Sequence, residues 1–286
     1  MKLTEILPAG VVVSDGAWGT QFIRMGLDTS DVADRWNLLF PERVVSVAQA
    51  YVDAGSQVIL TNTFRANAIT LAEYGCAAEV EAINRAGVEL SKRAATGKSL
   101  VFGSMGPTGK VYAAGEVSEQ ELFDAFVEQS AALASAQPDA LLIETMSDVE
   151  EARVAVKAAL TTGLPVVASF VFDAGRNRDR TMTGATPEQV VAAMEEAGVS
   201  AIGSNCGSGI QAFVPLARRI AAATSLPVWI KANAGLPEIV DGEPVYRTSA
   251  EDFAAHVPAL IEAGARIVGG CCGTTPDFIR AIVQTR

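Results

Sequence analysis

The chain has 286 residues, 49% of them hydrophobic, and no low-complexity stretch, so it can bury a large core in one α/β barrel or in two smaller domains. Its 22 basic residues are outnumbered by 33 acidic ones, and a net charge of -11 offers no electrostatic footprint for nucleic acid or an anionic membrane, leaving a small molecule or another protein as the expected partner. No apolar run approaches the ~20 residues that span a bilayer, Met1-Lys2-Leu3-Thr4-Glu5-Ile6-Leu7-Pro8 is too short and polar for a signal peptide, and four cysteines make no disulfide framework, so a cytoplasmic protein is expected.

In chain order, apolar runs of strand length fall at residues 11–13, 58–60, 100–102, 140–143, 165–168, 201–202, 228–230 and 266–268. Stretches with helical spacing separate them, at 41–54, 77–95, 118–136, 148–161, 187–197, 210–223 and 250–263, and another follows Pro276. Boundary chemistry supports these assignments. Ser118 with Glu121 reads as a capping box, Ser147 and Asp148 are candidate caps, Pro187 suits a first turn, and Gly55, Gly163, Gly198 and Gly264 read as helix stops. No Pro/Gly/Ser linker divides the chain. Eight βα units predict a single (β/α)8 TIM barrel over residues 1–286. A doubly wound open sheet is the competing fold, but Asp15-Gly16-Ala17-Trp18-Gly19-Thr20 lacks the glycine spacing of a dinucleotide turn.

In such a barrel the chemistry collects at the C-terminal strand ends, and polar residues stand there: Asp15, Thr61-Asn62, Gly103-Ser104, Glu144-Thr145, Ser169, Asn205-Cys206, Lys231 with Asn233, and Cys271-Cys272. Adjacent side chains on an extended strand point to opposite faces, so Cys271 and Cys272 can share one ion only at a sharp turn, which Gly269, Gly270 and Gly273 permit. Strands six, seven and eight are neighbours around a closed barrel, which lets Cys206 and Asn233 meet the pair. Three thiolates and a vacant position describe a catalytic zinc site; a vicinal disulfide and buried packing are the duller readings. Asp15 is alternatively a turn cap, Asn233 a loop brace, and Trp18, Trp36 and Phe64 either a donor pocket or packing. Cys76 and His256 read as structural.

Seven motifs in order, Asp15-Gly16-Ala17-Trp18-Gly19-Thr20, Thr61-Asn62-Thr63-Phe64, Gly106-Pro107-Thr108-Gly109, Ile143-Glu144-Thr145, Asn205-Cys206, Asn233-Ala234-Gly235 and Gly269-Gly270-Cys271-Cys272-Gly273-Thr274, span nearly the whole chain. Their sequence resembles the zinc-dependent homocysteine S-methyltransferases, especially the homocysteine-binding module of cobalamin-dependent methionine synthase. The resemblance implies that Cys206, Cys271 and Cys272 bind Zn2+ and that Asn233 holds the fourth position without substrate. It further implies that Asp15 and Glu144 engage the amino acid end of homocysteine, whose carboxylate meets the amides of Gly19 and Thr20. Lys231-Ala232 depart from the acidic residue and proline of the methionine synthase module. The folate- and cobalamin-binding modules and the C-terminal extension of betaine-homocysteine methyltransferases are not in this chain, which leans the expectation towards a monomer.

The expected reaction moves a methyl group onto the homocysteine thiol to give methionine. A free alkyl thiol titrates near ~8.5, and a metal with three cysteinates makes it a thiolate at neutral pH. The donor is S-methylmethionine, S-adenosylmethionine or another onium compound, or methylcobalamin on a separate corrinoid protein. Two rivals stand beside this: a corrinoid-linked methyltransferase for a different thiol, and a non-enzymatic zinc or redox thiol protein, which gives Asp15 and Glu144 no role.

Overall fold

A computed structural model describes residues 2–28, 30–240 and 243–286. The apolar runs become parallel strands β1 (Val12–Val13), β2 (Val58–Leu60), β3 (Leu100–Met105), β4 (Ala140–Met146), β5 (Val166–Phe170), β6 (Ala201–Cys206) and β7 (Val228–Ala232). After them come an antiparallel hairpin, β8 (Glu238–Val240) and β9 (Glu243–Val245), and the last barrel strand, β10 (Ala265–Gly270). The order around the sheet is β1-β10-β7-β6-β5-β4-β3-β2. A Ser14–Val58 bridge and the Gln57 amide on the Val13 carbonyl (2.7 Å) draw β1 against β2, so the ring is nearly closed. These are the eight strands and the α/β barrel expected from the sequence.

Strand alternation sorts the core into two shells. Facing inward are Val12, Val58, Leu60, Phe102, Leu142, Val167, Trp229 and Ile267, and Leu3 and Leu7 at the ends of the short helix Leu3–Ile6 join the same cluster. Phe102 and Trp229 stack with centroids 5.9 Å apart. Facing outward, Val13, Ile59, Val101, Leu141, Ile143, Val166, Ile230 and Val268 pack on the helices. Each fully buried aliphatic or phenyl side chain contributes roughly 1.5–3 kcal/mol.

Two residues beyond the inward apolar layer the same face turns polar: Ser104 after Phe102, Glu144 after Leu142, Ser169 after Val167, and Lys231 after Trp229, all buried. Several strands therefore run past their apolar stretch and carry site residues on the strand itself, where a hydrophobic period cannot mark them. Helix termini follow the expected chemistry. Ser118 and Glu121 cap Glu119–Ser135 reciprocally, Thr186 and Gln189 do the same for Pro187–Ala197, and Asp148, rather than Ser147, caps Val149–Leu160. The stretch 250–263 is two helices, Ala250–Ala254 and Val257–Glu262, because Pro258 has no N–H to donate and belongs in a first turn. Short helices Gly19–Arg24, Trp36–Leu39 and Ala68–Glu73 fill the first two βα loops, too brief to show a period.

Candidate active site

β6 delivers Cys206 at its last residue, and the turn after β10 delivers Cys271 and Cys272. The Cys206 and Cys271 sulfurs are 3.1 Å apart, and all three sulfurs lie within 4.8 Å of one another. The corner is held by main chain: the Cys271 amide donates to Ala232 (2.7 Å), the Ala234 amide to Cys272 (2.9 Å), and the Thr274 amide back to Cys271 (3.1 Å). Gly273 has φ 82°, and a Cβ there would sit 2.2 Å from the ring of Tyr246, so only glycine fits. All four cysteines are free, and Cys76 is packed apart among Ala66, Leu71 and Ile83. Mutual hydrogen bonds with Cys271 and Cys272, then burial, push Cys206 well above the usual thiol range, while those from Cys206 and Cys271 bring Cys272 down to about 3. The cluster thus favours one thiolate cradled by two thiols and needs a cation before all three can ionise.

Cys206 (φ 63°) and Thr145 (φ 62°) are both left-handed, a costly conformation for a β-branched residue. Asn205 holds this strain in place. Its Oδ1 accepts from the Thr145 amide (2.9 Å) and the Ser169 hydroxyl (2.6 Å), while Nδ2 donates to Thr145 Oγ1 (2.7 Å) and Cys206 Sγ (3.4 Å).

Asp15 is fully buried, and every direction from it is occupied. Oδ1 takes Lys231 Nζ at 2.5 Å, and Oδ2 takes Trp18 Nε1 (2.7 Å) and the Leu60 amide (2.8 Å). Lys231 lies over the Trp229 ring at 5.9 Å. Desolvation alone would lower its pKa, yet Asp15 and Glu144 outweigh it and the pKa is raised, so the ammonium stays charged. Glu144 accepts the Ser104 hydroxyl at 2.5 Å; burial pushes it up to about 7, against the lowering field of Lys231.

These groups meet in a cavity of about 370 Å³ at the C-terminal strand ends. Of the residues singled out from the sequence, Cys206, Cys271, Cys272, Glu144, Gly19 and Thr20 line it. Asp15 lies beneath it, bound to Lys231, which does line it. Asn233 stands beside Cys206: its amide donates to the Cys206 carbonyl (3.2 Å) and its Nδ2 to Gly207 (2.8 Å), while Oδ1 is buried with no partner. Trp18 and Phe64 are on the wall; Trp36 is instead packing, with Phe22 and Phe40 at 5.2 and 5.1 Å. His256 is half-buried at the start of Val257–Glu262, away from the cavity wall. No sequence signal marks Asp34 on the wall or Tyr246 against Gly273, since both come from loops without a period. Asn205 stands out in the sequence beside Cys206, but its bonds to Thr145 and Ser169 have no local pattern.

Three converging sulfurs beside an orphaned amide oxygen form a donor set that fits a soft or borderline metal ion. No helix among the described residues is long and apolar enough to cross a membrane. Comparison with known proteins bears on the same residues. The chain is 30% identical to the methionine synthase of Mycobacterium leprae over 98% of its own length and 24% of that protein. It is 29% identical to the Mycobacterium tuberculosis methionine synthase over 98% of its length and 25% of that protein, so it spans about a quarter of these relatives. The metallated form of the Escherichia coli homocysteine methyltransferase MmuM superposes with a TM-score of 0.82 at 25% identity, covering 99% of this chain and 98% of that one. Residues 12–286, which carry the barrel strands, the cysteine cluster and Glu144, match the family model for homocysteine S-methyltransferase, and the chain belongs to that family.

Proposed function

We propose that this single barrel domain transfers a methyl group to the thiol of homocysteine, giving methionine, and that it does so with zinc. The observation that carries the reading is the convergence of Cys206, Cys271 and Cys272 in the same cavity as Glu144. The three cysteines would hold the zinc, with Asn233 Oδ1 as the candidate fourth donor. Zinc bound there supplies the Lewis acidity that keeps a thiol ionised at neutral pH.

The chain's own residues orient the substrate. Glu144 faces the cavity with one oxygen held by Ser104 and presents the other to the ammonium group of homocysteine. Asp15, with both oxygens taken, adds negative charge from below and fixes Lys231 and Trp18 rather than touching the substrate. The first amides of Gly19–Arg24 lack intrahelical acceptors, and the Thr20 hydroxyl is buried without a partner; together they suit the carboxylate. With both ends fixed, the homocysteine sulfur attacks the donor methyl in line as the leaving atom keeps the bonding electron pair.

The donor is a small onium compound such as S-methylmethionine or S-adenosylmethionine, or methylcobalamin on a separate corrinoid protein; the identity to methionine synthases favours keeping the second route in view. Free thiols belong in the reducing cytoplasm. Methionine formation from homocysteine by the zinc-loaded chain, with S-methylmethionine, S-adenosylmethionine, betaine and methylcobalamin offered in parallel, tests the reading. Turnover with one donor establishes reaction and donor. Bound zinc and homocysteine without turnover indicate a corrinoid partner, turnover of another thiol names a different acceptor, and neither zinc nor thiol binding defeats the proposal.

A further inference from the structure

One buried charge on the cavity wall is left over when homocysteine and the metal have been placed. Asp34, in the turn Ala33–Arg35, is 2% exposed. Its Oδ1 accepts the Arg65 amide at 2.9 Å, its own backbone amide also stabilises the carboxylate, and among the described residues no side chain donates to it. It also has no cation within 4.0 Å among them. Arg35, next in sequence, is turned to Glu79 at 2.8 Å, and the Arg65 guanidinium lies over the Tyr74 ring at 5.1 Å. Burial pushes Asp34 up to about 6, so at neutral pH it is still mostly ionised. The Arg65 guanidinium, also on the wall, lowers that cost from a distance without forming a contact ion pair, and a buried carboxylate with no contact partner is still expensive; its open side is the cavity.

The surroundings say what kind of cation fits. The Arg65 amide ties Asp34 to the loop after β2, directly beside Phe64, and Phe64 and Trp18 present aromatic surface to the same cavity. Around the ring β2 is four places from β6, so this group faces Cys206 across the barrel mouth. A primary ammonium wants hydrogen-bond acceptors on every side. An alkyl onium has no N–H or O–H to donate, and is recognised by negative charge and aromatic faces.

We propose that Asp34, with Phe64 and Trp18, binds the positively charged centre of a small onium methyl donor, a site distinct from the one that takes the homocysteine ammonium at Glu144. The assignment rests on the homocysteine methyltransferase reading and narrows its donor. Electrons balance without a further reagent: the homocysteine thiol gives its proton to solvent, its sulfur forms the new C–S bond, and the donor's methyl bond breaks with the pair remaining on the donor atom. The donor thereby becomes neutral and loses its attraction to Asp34, which favours release of the demethylated product over rebinding.

The test is calorimetric binding of S-methylmethionine and of methionine, identical but for the sulfonium methyl, to the zinc-loaded chain, with homocysteine and zinc measured on the same preparations. Betaine is the quaternary ammonium arm. In Asp34→Asn, which keeps an acceptor for the Arg65 amide, the preference for S-methylmethionine over methionine is expected to fall ~10-fold or more, with homocysteine binding unchanged. Glu144→Gln, at the separate homocysteine site, should weaken homocysteine and leave S-methylmethionine binding intact. Phe64→Leu leaves the carboxylate in place and should lower the ratio in the same sense, which keeps the proposal exposed if Asp34→Asn fails to hold zinc. An unchanged ratio in the Asp34 and Phe64 variants, or a loss of homocysteine affinity in Asp34→Asn, overturns the onium site. If wild type binds zinc and homocysteine but neither S-methylmethionine nor betaine, the onium site falls while the methyltransferase reading stands. If it binds S-methylmethionine over methionine through Asp34 but not homocysteine, the reading of the acceptor falls and the onium site stands.

Discussion

The lower and upper halves of the barrel interior are made by the same strands two residues apart, and they obey opposite rules. Below, Phe102, Leu142, Val167 and Trp229 fill the lumen with apolar volume and ordinary backbone. Above, Ser104, Glu144, Ser169 and Lys231 take the next inward positions, and around them lie Asp15, the left-handed Thr145 and Cys206, and three crowded thiols. The lower layer supplies folding free energy; the upper layer consumes some of it to hold charges and strain that the proposed methyl transfer would use. A barrel of this kind separates stability from chemistry along its axis.

Breaking the upper half should therefore leave the fold standing. Serine at Cys206, Cys271 or Cys272 is expected to remove zinc and methionine formation together, by more than ~100-fold, because even residues that merely support metal ligands are worth 10–100-fold in affinity. The melting temperature should move by only a few degrees, since the apolar layer is untouched. Zinc per chain, initial rate and a thermal melt on one preparation decide it, and an active variant without zinc would refute the metal's role. Breaking the lower half should do the reverse. Phe102→Ala removes the ring stacked on Trp229 and should cost ~3–5 kcal/mol in denaturant unfolding, while the folded fraction keeps its zinc and its affinity for homocysteine.

The two halves were also unequally legible in the sequence. Apolar runs announce the lower layer directly, and with helices between them they give the barrel; the cysteines stand out because two are adjacent between glycines. Glu144 is visible as a carboxylate ending an apolar run. What joins these residues is not visible. Asp15 looks exposed to substrate in the sequence, yet 216 residues later Lys231 supplies its partner, and such a pairing has no local pattern. Asp34 is hidden for the same reason: its anchor is a backbone amide, which every residue but proline carries, so no residue type marks the contact. The hairpin β8–β9 lies beyond an apolar strand in a loop whose sequence shows no alternation strong enough to claim it.

Asn205 offers a finer cut within the upper half, since it is not on the cavity wall and supports two left-handed residues at once. Asn205→Ala removes both hydrogen bonds that Asn205 makes to Thr145 and the amide donor to the Cys206 sulfur. Zinc affinity is expected to fall ~10–100-fold, measured by competition with a chelator, with the secondary structure seen by circular dichroism unchanged. Wild-type affinity in this variant would mean that the cysteine corner is fixed by its main-chain bonds alone.

The smallest effect should have the sign that most separates the two layers. Asp34 rises from 3.8 to about 6 on folding, through burial first, so the folded chain holds a proton there that the unfolded chain releases. Its contribution is harmless below pH ~4, where both states are protonated, and stability is lost as pH climbs through about 6, where the folded carboxylate must ionise. Asp34→Asn should then equal wild type near pH ~4 and exceed it at pH ~8, by at most ~2–3 kcal/mol. Denaturant melts at the two pH values measure the difference. A variant less stable than wild type at the higher pH would show that Asp34 has a cationic partner inside the folded chain, and that its charge belongs with the structural layer instead of the site.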